Sequence, residues 1–272
     1  MRRSTAGPVG VASLVLMTMT LLGSVGGGAI SSTASAASES HAVRIAIPGP
    51  AGMRASTGDQ SWDSRNWSGY AIPSGDFTSV SGSWTVPTVN PPNRRRDRQF
   101  SSTWVGIDGY NVGDDNLIQA GTEQDWLGGA ASYQAWWEIL PAYETPLTLA
   151  IHPGDVMDVT ITQGSPDWTI TVADASTGQS DSVREPYSGP QSSAEWIQEA
   201  PTVGNRIATL ANDGTVDFTN LTVNGANPDL TIAESGVMAK KGGRVILSTP
   251  SQPSTAGNAF AVAFGSVPPS PP

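Results

Sequence analysis

The chain has no cysteine and only two histidines, His41 and His152, among its 272 residues. A catalytic Cys–His pair is therefore excluded, and a zinc site built from histidine and cysteine is nearly so. His152 precedes a Pro-Gly pair, which indicates a turn, and no G-x-S-x-G segment is present to supply a nucleophilic serine. No Asp-Thr-Gly, Asp-Ser-Gly or phosphate-binding glycine loop occurs either. Any catalysis must rest on carboxylates, amides and aromatic side chains, and we expect no cofactor.

Charged residues are also scarce and make up 14% of the chain. Acidic residues outnumber basic ones, with 24 Asp and Glu and 14 Lys and Arg. A nucleic-acid-binding protein needs a basic surface, so nucleic acid is excluded as a partner. The single basic run, residues 94–98 (RRRDR), follows two prolines and predicts an exposed loop, with an anion-binding or processing role as the alternative. The net charge of −10 fits an acidic working environment.

The usual helix formers Leu, Glu and Lys are few, whereas the chain contains 30 Gly and 21 Pro. About a dozen segments between Phe77 and Phe264, residues 147–151 and 229–232 among them, alternate polar and apolar residues and are predicted to be strands. Turn residues such as Pro153–Asp155 lie between them. No segment has the pattern of an amphipathic helix, and no internal repeat is present. The sequence predicts an all-β fold, a sandwich of two antiparallel sheets of the jelly-roll or concanavalin-like type.

The first 36 residues have the pattern of a secretory signal peptide, with two early arginines, an apolar stretch and a final Ala-Ser-Ala. A membrane anchor is the alternative. We expect a secreted, extracellular protein whose mature form does not contact a membrane. Residues 37–64 are predicted to be a pro-segment or a disordered arm, residues 65–266 a single domain, and residues 267–272 a Pro-rich tail.

Polar residues interrupt two apolar segments between Ser102 and Trp126. Side chains alternate between the two faces of a strand, so Trp104 would lie beside Asp108, and Gln119 beside Glu123. One face of each segment can join the core while the other face carries groups capable of chemistry.

Two later aromatic segments hold further carboxylates. Alternation places Glu138 beside Trp136, and Glu195 beside Glu199. A glutamate within an aromatic strand is partly desolvated, which raises its pKa and makes it a usable proton acceptor or donor. An amide such as Gln119 can donate an N–H to an oxyanion while its carbonyl holds a water. The alternative, which the pattern by itself favours, is that these glutamates face solvent.

Five segments in order, NWSGYAI, WVGIDG, LIQAGTE, YQAWWEILP and AEWIQE, resemble the glutamic peptidases (eqolisins), including their bacterial secreted members. The resemblance covers about residues 65–220 and implies a two-sheet sandwich with a catalytic Gln and Glu. It places the Gln at Gln119 and the Glu at the second glutamate of AEWIQE, Glu199, rather than at Glu195. Glu199 would act as general base on a water and then as acid toward the leaving amine, and Gln119 would stabilise the oxyanion.

The remaining residues expected in the site are aromatic and acidic and would bind substrate. They are Trp67, Trp104, Asp108, Glu123, Tyr133, Trp136 and Glu138. Glu123 stands where fungal relatives often have Asp, and Tyr110 where an Asp often follows WVGIDG. These two departures bear on substrate preference.

The sequence thus predicts a secreted, monomeric acid endopeptidase that acts on proteins or peptides. Two alternatives remain. A glycoside hydrolase would need only a pair of carboxylates beside the nine tryptophans, drawn from Glu123, Glu138 and Glu199. A non-catalytic module could use the same aromatic cleft to bind carbohydrate or peptide.

Overall fold

A computed structural model describes residues 53–55, 60–111 and 115–272 of the chain. The predicted signal peptide and most of the predicted arm lie outside these residues. Apart from one short 3-10 helix, Ile232–Glu234, all of the regular structure in the described residues is β-strand.

The strands are numbered in chain order. The first nine are β1 (Arg54–Ala55), β2 (Trp62–Ser64), β3 (Trp67–Ile72), β4 (Ser79–Thr85), β5 (Ser102–Ile107), β6 (Ile118–Leu127), β7 (Ala130–Ile139), β8 (Thr145–Pro146) and β9 (Val156–Thr162). The others are β10 (Trp168–Asp174), β11 (Gln179–Glu185), β12 (Ala194–Glu199), β13 (Thr202–Val203), β14 (Arg206–Ile207), β15 (Thr215–Val223), β16 (Ser235–Lys240), β17 (Val245–Pro250) and β18 (Phe260–Phe264).

Hydrogen bonding joins fourteen strands into one path, β11-β10-β9-β4-β15-β18-β17-β16-β3-β12-β5-β6-β7-β8. Neighbours along the path are antiparallel, and β2 joins β16 in parallel and carries β1 at its other side. The path folds back on itself, so that β4 and β9 pack on β5, and β9 and β10 pack on β6. Two packed layers result, which confirms the predicted all-β sandwich.

The core lies between these two layers and follows the alternation expected for strands with one face in solvent. In β9, every second residue is buried, including Val159 and Ile161. From the opposite layer, Val105, Ile118 and Trp196 reach into the same cluster. This burial of apolar area is what holds a protein without disulfides together.

Strands β5, β6 and β12 are buried on both faces, which simple alternation does not predict. Their second face packs a separate apolar cluster, which includes Trp67, Trp104, Trp136, Leu117 and Ile197. Five of the polar residues singled out by the sequence lie on this second face, which we call the site face: Gln119, Glu123, Glu138, Glu195 and Glu199.

The predicted boundaries differ from the structure at several points. Residues 62–64, within the predicted arm, form β2, and the Trp62 ring packs so closely on Gly236 that a Cβ there would lie 1.9 Å from it. Residues 147–151 were predicted as a strand but form irregular extended chain with alternate residues buried.

A strand predicted over residues 229–232 is also wrong. The 3-10 helix begins there instead, because Thr231 and Glu234 form a capping box in which the Glu234 carboxylate accepts from the Thr231 backbone N–H at 2.8 Å. Strand β11 was not predicted, since its sequence, QSDSVRE, is almost entirely polar.

Candidate active site

The registers of five neighbouring strands align the site-face residues in rows. The first row, called here the Gln119 row, contains Ala71, Glu195, Gly106, Gln119 and Glu138. The second contains Gly69, Ile197, Trp104, Gly121 and Trp136. The third, called here the Glu199 row, contains Trp67, Glu199, Ser102, Glu123 and Gln134.

Gln119 is held on one side by a carboxylate. Its Nε2 donates to Glu138 Oε2 at 2.5 Å, and its side chain is only 4% exposed. Its Oε1 is buried and has no hydrogen-bond partner among the described residues. Because a primary amide has two N–H groups and an oxygen with two lone pairs, Gln119 keeps one donor and its acceptor for a ligand.

Glu195 lies in the same row, two strands from Gln119, with Gly106 between them. Two strand spacings separate their Cα atoms by about 9.5 Å. A Cβ on Gly106 would lie 2.9 Å from Trp104 Cζ3 and 3.1 Å from Leu117 Cδ1, so these two side chains pack over the glycine.

The Glu195 carboxyl is fully buried, and neither oxygen has a hydrogen-bond partner of normal geometry among the residues that the structure describes. Burial raises the pKa of Glu195 well above its usual range, the Ser193 hydroxyl opposes this shift, and the negative charge of Asp108 adds to it. Burial, together with the charge of Glu195, raises the pKa of Tyr110 to about 12. The combination of a desolvated carboxyl and a nearby amide is typical of catalytic sites.

Glu199 lies two strands and four residues from Gln119. The Glu199 carboxylate accepts from Trp104 Nε1 at 2.9 Å and from Asn66 Nδ2 at 3.2 Å, one bond at each oxygen. Each carboxylate oxygen can accept a further hydrogen bond.

Tryptophans form the rest of the site face. Trp67 and Trp104 meet edge to face with ring centroids 4.9 Å apart. The indole N–H groups of Trp67 and Trp136 are buried without a hydrogen-bond partner in the described part of the chain, as is the hydroxyl of Ser193. Buried polar atoms are normally paired, so a group of unpaired ones on a single face indicates a surface built to receive a ligand.

Asp108 lies at the end of β5 and does not face the rows. Its φ of 68° is in the left-handed region, and its carboxylate accepts from Tyr187 Oη at 2.5 Å and from the backbone N–H groups of Gln191 at 2.9 Å and Ser192 at 2.7 Å. These bonds fix the loop that leads into β12 and thereby position Glu195.

Of the other predicted residues, Glu123 lies on the site face in the Glu199 row, and Glu138 holds the Gln119 amide. Tyr133 lies on the opposite face of β7, where it packs against the core and its hydroxyl accepts from the Val89 backbone N–H at 3.1 Å. Tyr133 therefore does not line the site.

Sequence reasoning passed over two residues of the Gln119 row, Gly106 and Glu195. Glu195 had been placed on the correct face, but alternation could not distinguish it from Glu199. The glycine within WVGIDG was the available signal, because a residue without a side chain inside a buried strand often marks close approach by another group.

In the described ranges, no group of three or more His, Asp and Glu side chains is arranged to hold a metal ion. No helix in these ranges is long and apolar enough to cross a membrane.

A family model and a known protein that are similar to this chain both belong to peptidases. The model of the Peptidase A4 family matches residues 65–258. Aspergillopepsin-2 of Aspergillus niger is 29% identical over 211 residues, which cover 68% of this chain and 74% of that protein.

Solved structures of two such peptidases are similar to this fold. A scytalido-glutamic peptidase, crystallised with a transition state analog inhibitor, superposes with a TM-score of 0.61 at 21% identity and covers 74% of this chain and 98% of its own. The aspergilloglutamic peptidase of Aspergillus niger has a TM-score of 0.52 at 28% identity, over 61% of this chain and 99% of its own.

Proposed function

The chain belongs to the Peptidase A4 family of glutamic endopeptidases, and on that premise we propose that it cleaves protein substrates in the part of the acidic range in which Glu195 is ionised, with Gln119 and Glu195 as the catalytic pair. The observation that carries the proposal is that these two residues share one row of the site face, on either side of Gly106. Secretion, directed by residues 1–36, and a monomeric state belong to the same proposal.

In the proposed reaction, a water binds to both the Glu195 carboxylate and the Gln119 amide. Ionised Glu195 removes one proton from this water, and the water oxygen bonds to the carbon of the scissile carbonyl. The carbonyl oxygen becomes an oxyanion, to which the second N–H of Gln119 donates. Glu195 then returns its proton to the amine nitrogen as the C–N bond breaks, which leaves a carboxylic acid and an amine.

Glu138 fixes the orientation of the Gln119 side-chain amide. Because Glu138 accepts one N–H of the amide, the amide nitrogen and oxygen cannot exchange places without losing a charge-assisted hydrogen bond. The Gln119 oxygen is thereby turned away from Glu138 and is available to accept the remaining hydrogen of the water. A preoriented donor and acceptor need no reorganisation during the reaction.

The proposal moves the general base from Glu199, as predicted from the sequence, to Glu195. Three features support this choice: the shared row with Gln119, full burial, and carboxylate oxygens without hydrogen-bond partners among the described residues. The Glu199 oxygens, in contrast, accept hydrogen bonds from Trp104 and Asn66.

Digestion of a protein substrate at acidic pH by purified Glu195→Gln and Glu199→Gln variants tests the assignment. We expect Glu195→Gln to lower kcat by about 10²–10⁴-fold, since the general base is lost. Glu199→Gln should lower kcat by less than about tenfold, because it weakens a hydrogen bond to the cleft wall. The reverse order would return the base to Glu199, and unchanged turnover in both variants would refute a glutamate mechanism. Circular dichroism of both variants checks that the fold is kept.

A further inference from the structure

A second candidate binding site lies at the end of β12, away from the Gln119 row. It is a cavity of about 390 Å³ lined by Arg65, Asn205, Arg206, Ile207 and Lys240. Three of its five lining residues are cations, although acidic residues outnumber basic ones in the chain by 24 to 14. No carboxylate is among the described residues that line it.

The three cations are available to a ligand. Within the described ranges, none of Arg65, Arg206 and Lys240 forms an ion pair with an Asp or Glu side chain. Cations in an acidic protein usually find acidic neighbours, so three unpaired ones around one concave surface produce a local positive potential. Such a cavity attracts anions, and the planar guanidinium groups suit the two oxygens of a carboxylate.

The cavity adjoins the Glu199 end of the site face. Arg65 directly precedes Asn66, whose carbonyl accepts from the Ala200 backbone N–H at 2.8 Å and whose side chain donates to Glu199. Arg206 lies on the β13–β14 hairpin, which follows β12 after two residues. The Gln119 row is four residues further along β12, so the cavity lies about 15–20 Å from the proposed catalytic pair.

We propose that this basic cavity binds a carboxylate of the peptide substrate, roughly five residues from the scissile bond if the peptide is extended. The inference rests on the proposed peptidase function and adds a preference to it. The carboxylate comes either from an Asp or Glu side chain or from the C-terminus of the substrate. The other two lining residues are Asn205, whose side-chain amide is a neutral donor, and Ile207, which adds an apolar surface.

Three peptides of otherwise equal sequence distinguish these sources. The first has an internal Glu and an amidated C-terminus, the second has Gln and a free C-terminal carboxylate, and the third has Gln and an amidated C-terminus. The Glu or Gln is moved through positions three to six residues from the cleaved bond on each side. The ratio of kcat/KM between a charged peptide and the neutral one is the readout.

At pH 5.5 we expect the wild type to prefer one charged peptide by about three- to tenfold, as for a few partly exposed ion pairs. Arg206→Gln and Lys240→Gln should each reduce this ratio and together bring it to about one. Arg184→Gln, which removes an exposed cation on β11, is the matched control and should leave the ratio unchanged. At pH 3 the ratio should fall toward one in the wild type, because the substrate glutamate, with a pKa of about 4.3, is then protonated.

Binding of the same peptides to the Glu195→Gln variant, measured by fluorescence anisotropy, tests the cavity apart from turnover. If no peptide is cleaved, the proposed function is wrong, and the anisotropy measurement alone then tests whether the cavity binds a carboxylate of the peptide. Equal affinities for charged and neutral peptides, or a preference that survives in the Arg206→Gln, Lys240→Gln double variant, would overturn the inference.

Discussion

The side-chain amide of Gln119 donates to Glu138, and its buried oxygen has no hydrogen-bond partner among the described residues. Removing it should therefore affect the transition state more than substrate binding. For Gln119→Ala we expect kcat to fall by about 10²–10³-fold with little change in KM, as for loss of one oxyanion donor.

The matched control for this prediction is Gln134→Ala. Gln134 has the same side chain and the same site face but lies in the Glu199 row. Initial rates on a protein substrate at acidic pH compare the two variants. Full activity of Gln119→Ala would contradict the proposed pair, and a glycoside hydrolase, which needs no glutamine, would then become the better hypothesis.

The pH dependence of catalysis reports the proposed base. Glu195 must be ionised to accept a proton, and its pKa is raised, first by burial and also by the negative charge of Asp108. The rate should thus fall as the pH drops through this raised pKa. Asp108→Asn removes the charge that opposes ionisation of Glu195, so the acid limb of kcat/KM should move to lower pH.

Full pH profiles of kcat/KM for the wild type and Asp108→Asn make this measurement. A purely structural role of Asp108 would lower the rate at every pH without moving the limb. A limb that moves to higher pH would contradict the electrostatic relation between Asp108 and Glu195.

At the level of the strands, two glycines lie where β5 pairs with β6, Gly106 in β5 and Gly121 in β6. Their surroundings differ. A Cβ on Gly121 would lie 2.1 Å from the Thr103 carbonyl oxygen, which belongs to the backbone and cannot move away. At Gly106, a Cβ would meet mainly side-chain atoms, at 2.9 Å from Trp104 and 3.1 Å from Leu117. Gly121 is required by the sheet, whereas Gly106 leaves space for the Trp104 and Leu117 side chains beside the Gln119 row.

Alanine substitutions should separate these two roles. We expect Gly121→Ala to lower the free energy of unfolding by about 3 kcal/mol, at the upper end for overpacking, because strands β5 and β6 must move apart. Gly106→Ala should cost less stability but lower kcat, since its methyl group would displace the Trp104 ring on the site face. Urea denaturation and initial rates on both variants test this, and equal losses of stability would contradict the distinction.

For the molecule as a whole, a buried acid links stability to pH. Asp213 is 6% exposed and accepts a hydrogen bond from Gln198. Burial raises the pKa of Asp213 from 3.8 to about 6, although hydrogen bonds to Ser101 and Gln198 oppose the shift. Since the folded state binds this proton more tightly than the unfolded state, stability falls as the pH rises from about 4 to about 6.

The expected loss over this range is on the order of 3 kcal/mol from Asp213 alone. Buried Glu195 should add a loss of the same sign. Denaturation by urea at pH 4 and pH 7 measures the difference, and Asp213→Asn should reduce it. Greater stability at pH 7 than at pH 4 would contradict the prediction.

The sequence by itself determined the fold class and the faces of the strands. The lack of helix formers and the frequent turn residues predicted a sandwich, and alternation within each strand placed Gln119 beside Glu123 and Glu195 beside Glu199. These are local properties, because the period of a strand depends only on its backbone geometry. The edge strand β11 is not predicted from the sequence, because it is polar and lacks the alternating apolar residues that indicate a strand.

Only the tertiary structure decided which glutamate faces Gln119. Glu195 and Glu199 are four residues apart on one strand, so alternation treats them alike. Their positions relative to Gln119 depend on the registers of β12 with β5 and of β5 with β6. The β12–β5 register joins segments about 90 residues apart and is set by packing of the whole sandwich, which no short stretch of sequence contains. That register is the reason Glu195 lies across Gly106 from Gln119 while Glu199 anchors Trp104.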